Sequence, residues 1–168
     1  MTHAPSGHDG PYDAPVESPS REVPAEWIDY NGHVNVAYYT MAIDWGADHL
    51  FDDHLGLGEA HAKVNGQGPM VVQLHVHYLG EILKGERFTV RGLLLDWDQK
   101  RIHWCAQICV DGQVRCVAEQ MTVNVDLTAR RTVPYPDWAQ ARLARMLEDH
   151  ADIPRPAQIG RGLEIRRS

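Results

Sequence analysis

Trp27-Ile28-Asp29-Tyr30-Asn31-Gly32-His33-Val34-Asn35-Val36-Ala37-Tyr38-Tyr39 is the stretch on which the reading of this chain turns. Asp29, Asn31, His33 and Asn35 alternate around Gly32, where a strand-like run gives way to a long helical one. Free backbone N–H groups gather at a helix start and can hold developing negative charge. A carboxylate fixed just before that start lies beside a ready oxyanion site.

Downstream, Val36, Tyr39, Ile43, Ala47, Leu50 and His54 recur at helical spacing. They predict a helix from about Val36 to Leu55, with Asn35 as its N-cap and Gly56 and Gly58 ending it. Gly46 in the middle weakens a helix, which makes sense where the helix lies tightly on a sheet. Beyond a loop with Gly66, Gly68 and Pro69 the period becomes two. Met70, Val72, Leu74, Val76 and Tyr78 make one strand face, and Gln73, His75 and His77 the other. Further strands are predicted at about 87–95, 101–110 and 114–126, with Asp111-Gly112 as a hairpin turn. Residues 21–28 read as an irregular first strand, interrupted by Pro24. A last helix follows Pro136, with Asp137 as cap and Leu143, Met146 and Leu147 inward.

The result is an α+β chain: one long central helix wrapped by a curved antiparallel sheet of about five strands, with an extra C-terminal helix. A single sheet leaves an open edge and an uncovered face, so a homodimer or a dimer of dimers is expected. Residues 1–20, rich in Pro, Gly, Ser and Asp, are expected to be disordered. Residues 21–150 form the domain. Residues 151–168, with Arg155, Arg161, Arg166 and Arg167, form a loose basic tail.

The 168 residues suffice for one domain with a proper core, and a net charge of −7 argues against nucleic-acid binding. No apolar run reaches a membrane span, and the N-terminus lacks the basic start and apolar stretch of a signal peptide. The three cysteines, Cys105, Cys109 and Cys116, have no C-x-x-C spacing and read as reduced thiols of a cytoplasmic protein. Ser6, Ser18, Ser20 and Ser168 all lie in the expected tails, which sets aside a serine hydrolase. His75 and His77 alone are too few ligands for a metal, so none is expected.

Asp29-x-x-Gly32-His33-Val34-Asn35-x-x-x-Tyr39 resembles the motif of the hotdog fold, in its 4-hydroxybenzoyl-CoA thioesterase-like branch, with the topology agreeing over about residues 21–130. The longer run from Glu26 to Val36 is similar to the betainyl-CoA thioesterases of carnitine breakdown, as are Lys100-Arg101-Ile102-His103 and Ala118-Glu119-Gln120-Met121. One departure stands out. That group carries a His-Glu pair in the strand after the Lys-Arg turn, where this chain reads Cys105-Ala106-Gln107.

The resemblance implies hydrolysis of a short acyl-CoA thioester, betainyl-CoA being favoured, to free acid and CoA. No cofactor is implied, CoA being part of the substrate. Asp29 matches the catalytic aspartate, as nucleophile or as general base; read without the motif, it is better taken as an Asp that closes its own turn. His33 would orient Asp29, bond the thioester oxygen or protonate the thiolate, or else pack at a subunit contact. Asn31 belongs to the catalytic loop, which it shapes together with Asn35. Gly32 fits a positive φ or a close approach by substrate, and the N–H groups of Val36 and Ala37 would hold the oxyanion. Losing one such donor slows a reaction by about 10²–10³. Trp27, Tyr30, Tyr39 and Trp104 offer aromatic faces to a trimethylammonium group. Glu119, on an apolar strand face, is either a second polar group in the pocket or the partner of an arginine. Lys100 and Arg101 stand where related enzymes meet the CoA phosphates.

Two other readings stay open. A hotdog hydratase or dehydratase is disfavoured because Asp29 to His33 is one residue short of D-x-x-x-x-H. A non-catalytic acyl-CoA sensor would have no need of Asp29.

Overall fold

The computed structural model describes residues 4–6 and 8–163. The parts of the expected tails at 1–3, 7 and 164–168, including Arg166, Arg167 and Ser168, lie outside the described residues. Two short strands come first, β1 (Val16–Glu17) and β2 (Arg21–Glu22), then a single 3-10 turn at Ala25–Trp27. Helix α1 (Val36–Asp48) follows and runs on through a π-helical turn, His49–His54. After α2 (Glu59–Asn65) come β3 (Gln67–Tyr78), β4 (Arg87–Trp97), β5 (Arg101–Val110) and β6 (Gln113–Asp126). The short β7 (Arg131–Thr132) and helix α3 (Asp137–Asp149) end the series.

The sheet runs β1-β4-β5-β6-β3, with β2 also pairing β4 and β7 also pairing β6, all antiparallel. It thus has seven strands among the described residues. The four long ones agree with the sequence pattern, and the surplus over five consists of two-residue pieces too short for a period to register. Asp111 (φ 49°) and Gly112 (φ 74°) both take left-handed backbone in the β5–β6 turn, as an Asp-Gly hairpin requires.

Helix α1 lies across the inner face. Its buried residues Tyr39, Ala42, Ile43, Gly46 and Ala47 fall on one stripe. Val36 is 58% exposed, so the apolar stripe begins at Tyr39 rather than at Val36. A Cβ on Gly46 would stand 2.3 Å from Val90 Cγ1, so the helix backbone rides directly on β4 as its glycine implies. Trp27, Phe51, Trp104, Ile108, Leu143 and Met146 join the same buried cluster. Helix α2 stands where the sequence suggested only a loop, being too short to reveal a helical period. At α3 the N-cap position falls on Pro136 and Asp137 is the first helical residue, with no side-chain cap.

Both tails need correction. Within the described part of residues 1–20, Val16 pairs with Gly92 and is 2% exposed, Tyr12 is 8% exposed, and Asp9 bonds Arg142 at 2.9 Å. Two apolar anchors and an ion pair suffice to dock a segment whose composition alone reads as disordered. At the other end, Ile153 and Ile159 pack on Leu93, Leu95, Cys105 and Val117. Arg155 donates to Leu95 O at 2.6 Å, so the tail covers part of the outer sheet face.

Strand β3 forms a free edge. Met70, Val71 and Val72 are exposed there, and a bulge between Val71 and Gln73 breaks the simple alternation that the sequence suggested. Among the described residues no helix is long and apolar enough to cross a membrane.

Candidate active site

The loop ahead of α1 is closed by an isolated bridge between Ile28 and Val34. Inside it, Asp29 N–H donates to His33 O and Gly32 N–H donates to Asp29 O, both at 3.0 Å, and Gly32 takes φ 86°. This tight turn needs a residue without a Cβ. The half-buried Asp29 carboxylate is held at both oxygens: Oδ1 accepts from Asn31 N–H at 2.8 Å, and Oδ2 accepts from Asn35 Nδ2 at 3.3 Å. The turn-forming role is therefore real, and a link to the helix is added to it.

Asn35 is the hinge of the arrangement. Its Oδ1 caps Ala37 N–H at 3.0 Å while its amide nitrogen reaches Asp29. The carboxylate is thereby tied to the positive end of α1. Of the two expected oxyanion donors, Ala37 N–H is already committed to this cap. Val36 N–H has no partner among the described residues.

His33 Nδ1 lies 3.0 Å from Val34 O. A carbonyl only accepts, so Nδ1 carries the hydrogen and Nε2 is the ring's uncommitted nitrogen. His33 lines an open groove of about 470 Å³ with Val34, Val36, Tyr39, Tyr78, Leu79, Gly80 and Glu81. Asp29 is not itself among the residues that line the groove; it is linked to Asn35, the residue before Val36, which is. Burial raises the Tyr39 hydroxyl pKa, and the ring is pinned by donation to Gly80 O at 3.3 Å.

Several expected site residues lie elsewhere. Trp27 is 4% exposed and stacks on Tyr38 with centroids 5.1 Å apart. Trp104 is fully buried and meets Phe51 edge to face. Both are core, because each ring sits on the helix-facing side of the sheet. Tyr30 is 95% exposed at the loop tip. Arg101 is paired with Asp98, its Nε 2.7 Å from Oδ2, which ties up a guanidinium expected for phosphate; Lys100 beside it is free to face an open groove with Gln99 and Thr132.

Glu119 belongs to a separate place on the outer face, in a cleft with Gln73, His75 and Met121. Its Oε1 accepts from His103 Nε2 and its Oε2 from Gly160 N–H, both at 2.7 Å. Burial alone would raise its pKa, but these two hydrogen bonds, together with the charges of His103 and His75, outweigh burial and hold it below the ordinary carboxylate range. His103 and Glu119 thus pair across β5 and β6. All three cysteines are buried and free; burial raises their pKa values, to about 12 for Cys105 and Cys116.

Sequence reasoning missed Tyr78 and Glu81. Tyr78 reads as one more core residue of its strand, and Glu81 as part of a turn.

Residues 23–143 match the thioesterase-like superfamily. The betainyl-CoA thioesterase of Pseudomonas aeruginosa is 33% identical over 138 residues, covering 81% of this chain and 86% of that protein. The chain belongs to the thioesterase-like superfamily. Another superfamily relative, the L-carnitine dehydrogenase/betainyl-CoA thioesterase of Rhizobium meliloti, is 32% identical over 91% of this chain, which spans only 31% of that longer protein. Among solved structures, a hypothetical protein of Staphylococcus aureus in complex with CoA superposes with a TM-score of 0.83 at 22% identity. It covers 94% of this chain and 100% of its own, which establishes the hotdog fold of the superfamily here.

Proposed function

We propose that this protein is an acyl-CoA thioesterase that hydrolyses a short acyl-CoA, betainyl-CoA being the favoured substrate, to the free acid and CoA. The observation that carries the reading is the Asp29 carboxylate tied through Asn35 to the start of α1, beside the free Val36 N–H and the groove. The likeness to betainyl-CoA thioesterases supports the substrate.

The chemistry follows from charge. Asp29 either attacks the thioester carbonyl, giving an anhydride that water then opens, or takes a proton from the attacking water. Both routes place a negative oxygen on the former carbonyl. Val36 N–H and the dipole of α1 hold that oxygen more tightly than the planar carbonyl that precedes it. The C–S bond then breaks, and the thiolate takes a proton from His33 at the groove, whose Nε2 must first carry a hydrogen and regains it from the water that the reaction consumes. Asn31 and Gly32 hold the carboxylate's turn. Lys100 meets the CoA phosphates, with Arg101 contributing only by leaving Asp98. No cofactor takes part.

The exposed β3 edge, with Met70, Val71 and Val72 and the neighbouring Leu79 and Leu83, supports a homodimer in which a second copy completes the groove. A cytoplasmic setting fits the three free, buried cysteines.

Thiol release from a panel of acyl-CoAs, with wild type and Asp29→Ala in parallel, tests the reading. Asp29→Ala is expected to lose about 10³ or more in kcat while its binding of CoA is kept. Undiminished hydrolysis would remove the mechanism. Hydration of an enoyl-CoA without thiol release would point to a hydratase, and binding without turnover of any ester to a sensor.

A further inference from the structure

We infer that the groove at the start of α1 selects a cationic acyl group, seating a trimethylammonium in the corner between the Tyr39 and Tyr78 rings with Glu81 as its counter-charge. This rests on the thioesterase reading above and names the residues that would set its specificity.

Of the four aromatic side chains first expected to form a cage, Trp27 and Trp104 are core and Tyr30 stands out in solvent. The fourth, Tyr39, lines the groove together with Tyr78. Their centroids are 5.1 Å apart with planes 84° to each other, so the two rings form a corner rather than a stack. Tyr39 is fixed by its hydroxyl on Gly80 O, and Tyr78 is 49% exposed toward the groove it lines. A quaternary ammonium has no N–H to donate and is bound through ring faces and a diffuse negative charge.

Glu81 supplies that charge. It is the one carboxylate among the described residues lining the groove, where His33 is the one titratable base and the remaining groups are apolar or tyrosyl. Burial is the main cause that raises the Tyr39 hydroxyl pKa, and Glu81 adds a small contribution in the same direction after Cys116 and Tyr78. Arg115 packs against Gly80 but does not line the groove. A neutral acyl group would gain nothing from a carboxylate in a largely apolar wall, and would bear part of the cost of drying it.

The full-length chain is assayed with betainyl-CoA and with 3,3-dimethylbutanoyl-CoA, which replaces the quaternary nitrogen by carbon at nearly the same size. The non-hydrolysable thioether analogues of both are titrated by calorimetry, so that binding is read without turnover. Wild type is expected to prefer the cation in both measurements. Glu81→Gln and Tyr78→Leu should each lower the cation-to-neutral ratio about tenfold, largely through KM, whereas Tyr78→Phe keeps it. A ratio near one in wild type, or one unmoved by Glu81→Gln and Tyr78→Leu, overturns the inference. The thioesterase reading would still stand if thiol release depends on Asp29. Cation-selective binding with no thiol release from any ester would do the opposite, upholding the groove's selectivity and sinking the catalytic reading.

Discussion

Replacing Gly46 by alanine tests the packing that sets the whole site. In an exposed helix the change would stabilise α1 by about 1 kcal/mol. Here the new methyl would lie 2.3 Å from Val90 Cγ1 and 2.7 Å from Val90 Cβ, where carbon atoms normally keep about 3.5–4.0 Å. Val90 is 2% exposed and its backbone is held in register opposite Ile108, so the strand cannot simply move aside. The helix must lift from β4 by roughly 1 Å or more, and overpacking of this kind costs about 1–3 kcal/mol. With the propensity gain set against the upper part of that range, Gly46→Ala is expected to lose about 1–2 kcal/mol net. For a chain of this size that is a fall in melting temperature of roughly 3–6 °C. Urea unfolding at fixed protein concentration, followed by circular dichroism, measures it. Adding Val90→Ala removes the colliding methyls, so the double variant should be more stable than the two single losses predict, by about 1 kcal/mol or more. A Gly46→Ala protein more stable than wild type, or a cycle with no coupling, would refute the close approach of α1 to β4.

Acid should loosen the chain through His150. This 3%-exposed ring accepts Leu94 N–H at Nδ1 and donates to Asp13 O from Nε2, both at 2.9 Å, so only the neutral form fits, and burial lowers its pKa. The unfolded chain binds the proton first: the stability is full above about pH 6.5 and falls below it, by up to about 1.4 kcal/mol per pH unit from this group. His61, also lowered by burial, adds in the same direction. Urea midpoints from pH 7.5 to pH 5 should show this slope, reduced in His150→Gln; an unchanged slope in that variant would acquit the residue. Asn35→Ala removes the cap on Ala37 and the Oδ2 partner of Asp29 together, so it should cost about 1 kcal/mol of stability and a larger share of kcat. Equal stability with full turnover would count against the Asn35 hinge. Glu119→Ala should leave kcat for betainyl-CoA unchanged while raising protease cleavage near Gly160, whose N–H it releases; loss of turnover with an intact tail would return Glu119 to the site.

What the sequence determined by itself was local. The helix start at Asn35, the Asp-Gly hairpin, the change of period after Pro69 and the packed glycine at position 46 each follow from rules acting over a few residues, and each stands where the pattern puts it. The carboxylate's turn belongs with them, since its partners Asn31 and Asn35 are near neighbours in the chain. Tertiary structure decided which aromatic rings face a ligand. Trp27 and Trp104 look as available as Tyr78 in a one-dimensional pattern, but burial depends on which strand lies at the sheet edge and on what α1 covers. The same holds for the His103–Glu119 pair, the docked N-terminal segment and the C-terminal cover, whose contacts join residues far apart in the chain. Such pairings are fixed only when distant segments have already met, and no spacing rule along the chain encodes that meeting.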